Sequence, residues 1–106
     1  MIFYIGNQAW TVIFVPPMSY SLQRQDGTYT YGSCDNPTHT IYIQDGLSEF
    51  MLWRVLCHEI THAVLFSYNI DLNLYEEEVL ADLVATYGGE ILLTTEEVYE
   101  TIKRGF

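Results

Sequence analysis

The stretch Trp53 to Phe66, "WRVLCHEITHAVLF", decides how the rest of the chain is read. Leu52, Trp53, Leu56, Ile60, Ala63 and Val64 recur at helical spacing and form one apolar stripe. Set into this run are three costly polar side chains, His58, Glu59 and His62, in the pattern HExxH. Residues four apart on a helix lie about 40° apart around the axis and one turn apart along it, so two imidazoles there can grip one metal ion. Glu59 is displaced by about 100°, which leaves its carboxylate beside an open coordination position rather than on the metal. That is where a general base for an activated water belongs.

The bland alternative is an ordinary helix with polar residues at its rim. With ordinary residue usage, HExxH arises by chance on the order of once in several hundred chains of this length. Met51, Val55 and Leu65 flank the histidines, so they line something partly dry and not a simple solvated face. A metal site is the better reading, with Zn²⁺ as the ion these ligand types suit.

Such a site needs a third protein ligand. Downstream comes "YEEEVLADLVATYGG", Tyr75 to Gly89. Glu78 and Asp82 are four apart and share a helix face, flanked by Ala81 and Ala85, which would let another helix approach closely. The opposite face carries Leu80, Leu83, Val84, Tyr87 and Ile91, an apolar stripe for the core. Coupled to HExxH, the acidic face supplies Glu78 as third ligand and Asp82 as an acceptor that orients a liganding imidazole. The rest of the "EEE" run complements a helix N-terminus.

Outward from these helices, "MIFYI" and "AWTVIFV" read as short strands joined by a turn at "GNQ", and Pro16-Pro17 ends the second. "CDNP" reads as a turn, and the run around "THTIYIQDG" as a strand with one polar face, an edge. The first helix is expected from about Ser48 to Ser67, capped by Asp45 or Ser48, and the second from about Tyr75 to Ile91. A short C-terminal helix should open on a capping box, Thr94 with Glu97, and end near Gly105. Strands first and helices after gives an α+β fold in one domain, residues 1–106.

HExxH followed by a helix bearing Glu-x-x-Ala-Asp resembles the gluzincin, thermolysin-like metallopeptidases, and more narrowly the ImmA/IrrE-type peptidases of phages and mobile elements. The runs that carry the likeness are Gly32 to Ile43, His58 to Ala63 and Glu78 to Ala85. The resemblance implies a zincin-like fold with a small mixed sheet whose edge strand, here His39 to Gln44, holds an extended substrate. It implies His58, His62 and Glu78 on zinc, Glu59 as general base, and Asp82 behind the ligands.

Other residues tempt less. His39 sits in a strand; Cys34 could ligate or cap the metal; Tyr75 is a candidate to steady an oxyanion. Cys34 and Cys57 make no disulfide framework. Formal charge is −10, with only Arg24, Arg54, Lys103 and Arg104 basic, which disfavours direct nucleic-acid binding and favours a basic protein partner. A basic DNA-binding repressor fits both that charge and the resemblance. No apolar run is long enough to span a bilayer, and the protein is expected to be cytoplasmic. The expected activity is zinc-dependent hydrolysis of a peptide bond in a protein substrate. The rivals are a non-catalytic zinc-binding interaction module on the same scaffold and a hydrolase acting on a small amide.

Overall fold

Apolar residues at alternate positions and at helical spacing build a four-stranded sheet with two helices, an α+β arrangement, in the computed structural model, which describes residues 1–105. Strands β1 (Ile2–Ile5) and β2 (Gln8–Val15) form a hairpin; a 3-10 turn at Tyr20–Leu22 follows; then come β3 (Gly32–Asp35), β4 (Thr40–Gln44), α1 (Glu49–Ser67) and α2 (Leu74–Lys103). The order across the sheet is β1-β2-β4-β3. β4 runs parallel to β2 and antiparallel to β3, so the sheet is mixed.

Trp10, Val12, Ile41 and Ile43 project from the two central strands and are buried against Ala63, Leu56 and Ile60 of α1. The Trp10 indole N–H donates to Ser67 Oγ at 2.8 Å, so the last turn of α1 is tied to β2. Ser48 caps α1, its hydroxyl accepting from the Met51 amide at 3.2 Å. Asn73 and Glu76 form a reciprocal capping box at the start of α2.

Three expectations are corrected. The strand at His39–Gln44 is not an edge: β4 lies between β2 and β3, the 3-10 turn packs on it, and Thr40, bonded to Thr38, is buried. The edge next to the helices is β3, in a stretch whose tail reads as a turn. Nor is there a separate C-terminal helix; α2 continues through Lys103. Thr94 caps nothing there, and the Thr95 and Thr101 hydroxyls bond back to the Ile91 and Glu97 carbonyls at 2.7 and 3.0 Å, so these threonines sit inside the helix and not at its start. Finally, α2 meets α1 through its acidic, small-residue face. Ala81 is fully buried, whereas Leu83, Tyr87 and Ile91 of the apolar stripe are about half exposed. Trp53 on α1 is likewise exposed rather than part of the core.

Candidate metal centre

α1 and β3 approach so closely that Gly32 has no room for a side chain. A Cβ there would lie 2.6 Å from Val55 Cγ1 and 3.0 Å from Glu59 Cγ. Beside this contact opens a cleft of about 710 Å³, floored by α1, with β3 on one side and the first turns of α2 on the other. His58, Glu59, His62, Glu78 and Asp82 all line it.

The histidine side chains converge. His58 Nε2 and His62 Nε2 are 3.2 Å apart. Glu78 spans them, with Oε2 at 3.2 Å from His58 Nε2 and Oε1 at 3.1 Å from His62 Nε2. The opposite nitrogen of each ring faces another carboxylate from α2: His58 Nδ1 lies 3.0 Å from Asp82 Oδ1, and His62 Nδ1 lies 2.5 Å from Glu77 Oε1. Glu77 was not singled out by its sequence position. It is the middle of three glutamates, and only the rotational setting of α2 against α1 decides which of them reaches His62. Glu76 is occupied with the helix cap.

These contacts test the fit of a metal. A neutral imidazole whose Nδ1–H donates to a carboxylate presents an unprotonated Nε2. Two such lone pairs and the Glu78 oxygens then crowd one point, all within 4.8 Å of one another. Such a convergence of acceptors suits a cation placed among them. The donor set, two imidazoles and a carboxylate, is the kind that holds a divalent transition metal and leaves a position open.

Glu59 is of a different kind. It is 6% exposed and makes no hydrogen bond to either histidine. Burial raises its pKa to about 7; the neighbouring His62 pulls it back and Glu78 adds to the rise. A carboxyl balanced near neutrality, buried beside the histidine cluster, can both take up and release a proton. Cys34 also lines the cleft, but burial, with Glu59, Glu77 and Asp35 behind it, pushes its thiol well up, so it stays protonated. His39 lies outside the cleft, stacked on Trp10 with ring centroids 4.3 Å apart, just ahead of β4 and not in it. Tyr75 is exposed and also outside the cleft.

With this geometry in view, the comparison with known families is direct. A family model described as the IrrE N-terminal-like domain, Peptidase_M78, matches residues 11–105. The chain belongs to that peptidase family. No curated protein and no solved structure matches it. An IrrE N-terminal-like peptidase acts on protein substrates, and the converging histidine and glutamate cluster is where this one would hold a metal. No helix among the described residues is long and apolar enough to cross a membrane.

Proposed function

We propose that the protein is a zinc-dependent peptidase of gluzincin type in a single domain, acting inside the cell. His58, His62 and Glu78 hold the ion, and Glu59 is the general base. The observation that carries this reading is the crowding of two Nε2 atoms and one carboxylate at 3.1–3.2 Å, with a buried carboxyl of raised pKa beside them. When bound there, zinc supplies Lewis acidity toward the scissile carbonyl and the oxygen that gains charge. The chain's own residues do the rest. Glu59 accepts the proton of the attacking water and passes it to the leaving amine nitrogen as the C–N bond breaks. Asp82 and Glu77 hold the imidazoles with Nδ1 protonated and Nε2 free. An extended substrate segment would pair with the open edge of β3, main chain to main chain. Burial around Gly32 keeps bulk water from Glu59 on that side.

The overall negative charge favours a basic protein as target, a DNA-binding repressor among them, cut within a flexible segment. A zinc-holding interaction module without activity would have no use for a buried base, so Glu59 weighs against it.

Protein purified without a histidine tag should carry close to one zinc per chain by elemental analysis. Glu59→Gln should keep that zinc and lose hydrolysis by a factor on the order of 10² or more. If Glu59→Gln sheds zinc as readily as His58→Ala, Glu59 is a ligand and the assigned roles fail.

A further inference from the structure

The cleft holds a second charge pattern that the metal chemistry does not use. Of the four basic residues in a chain of net charge −10, two, Arg24 and Arg54, line this cleft; Lys103 and Arg104 lie at the far end of α2. Arg54 stands one turn before His58 on the cleft face of α1, partly buried. Arg24 comes from the small hairpin between the 3-10 turn and β3, where its amide bonds the Thr28 carbonyl at 2.7 Å.

Among the described residues neither guanidinium is ion-paired, although the chain carries 14 aspartates and glutamates. The carboxylates of the cleft are taken: Glu77 by His62, Asp82 by His58, and Glu78 by both rings. Asp26, two residues from Arg24, accepts from the Thr28 amide and hydroxyl at 2.9 and 2.6 Å. Arg24, exposed, and Arg54, partly buried, thus both line the cleft without an ion pair at contact distance, the charge of Arg24 being felt by the nearby Asp26. Guanidinium matches a carboxylate in shape and charge, and the match strengthens where water is thin.

We propose that Arg24 and Arg54 select the substrate by binding a carboxylate carried near the scissile bond. This rests on the peptidase reading above and adds its specificity. The source is either an aspartate or glutamate side chain or the substrate's own C-terminal carboxylate. The two scales of charge then act separately. The acidic surface draws in a basic protein, and the cleft accepts the acidic spot within it.

The test uses zinc-loaded full-length protein and a quenched fluorescent peptide pool made in matched sets: Glu against Gln at each position, and free acid against amide at the C-terminus. The acid member of one set should be cleaved with kcat/KM about 10- to 100-fold above its neutral partner, mostly through KM. The set that responds tells a side chain from a terminus. In Arg24→Met, Arg54→Met and the double variant, checked for zinc content, that ratio should fall toward one. A ratio near one in the wild type, or an undiminished ratio in the double variant, overturns the inference and leaves the arginines as offsets to the cleft's carboxylates. Binding of the same peptides to zinc-loaded Glu59→Gln separates the two readings. Absent hydrolysis by the zinc-loaded wild type, with a preserved acid-to-neutral ratio of Kd in Glu59→Gln, sinks the peptidase reading alone. Intact hydrolysis by the wild type with a Kd ratio of one in Glu59→Gln, or no binding of any acidic peptide, sinks this one.

Discussion

Glu59 and Glu77 are the most enclosed carboxylates of the cleft, and their surroundings suit them to different work. Glu59 is largely withdrawn from water, so its carboxyl holds its proton more tightly than an exposed glutamate does, up to a pKa of about 7. Glu77 is spent on one contact, 2.5 Å from His62 Nδ1, and fixes which face of that ring is free. Glu78→Ala should therefore weaken zinc binding most, with Asp82→Ala and Glu77→Ala each costing about 10- to 100-fold. Cys34→Ala, whose thiol stays protonated, should change affinity little. Competition titration against a chromophoric chelator gives the ranking, and a larger loss for Cys34 than for Glu78 would reassign the third ligand. Of these residues, His58, Glu59, His62, Glu78 and Asp82 could be picked out from spacing, because i and i+4 on one helix is a geometric statement in itself. Glu77 could not, since its partner lies on another element.

At the scale of elements, α1 was readable almost to the residue. Its apolar period is long and Ser48 is a good cap, so local and tertiary preferences agree. β3 was not readable: "GSCD" has no alternating pattern, and it is a strand because Gly32 lets it close on α1 and β4 supplies its hydrogen bonds. β4 was readable as a strand but not in its place, because its pairing with both β2 and β3 and its packing against the distant Tyr20–Leu22 turn are set by tertiary structure. The helix signal at Thr94 and Glu97 was genuine local chemistry outvoted by a helix already running. Two glycines separate these cases experimentally. Gly32→Ala should destabilise by about 1–3 kcal/mol in chemical denaturation, since backbone and Val55 must part to admit a methyl group. Gly89→Ala, in a helix with nothing within 4 Å of the new Cβ, should instead add up to about 1 kcal/mol of helix stability, read as a higher far-ultraviolet melting midpoint. Unchanged stability in Gly32→Ala would mean that β3 does not sit against α1 as described.

The whole molecule measures 55 × 31 × 28 Å with a radius of gyration of 16.0 Å, against about 13 Å for a compact chain of this size. The excess is the second half of α2, where Ile91, Leu92, Leu93, Val98, Tyr99 and Ile102 are all exposed. Every cleft group that α2 contributes, from Leu74 to Asp82, lies in its first half, anchored by Ala81 against α1. One continuous rod is thus bolted down at one end only, and its amides should keep two different clocks. In zinc-loaded protein, hydrogen–deuterium exchange should be slowest through Glu77–Ala85 and fast beyond Gly89. Chelation should release the first segment by at least tenfold while the second hardly changes, since a ligand that binds only the closed state lends protection only to what it closes. Equal acceleration along the whole helix would show that it opens as one unit. If the two rates part, metal affinity becomes linked to the first half of α2: the free energy that holds those turns against the histidines is partly the free energy of holding the ion.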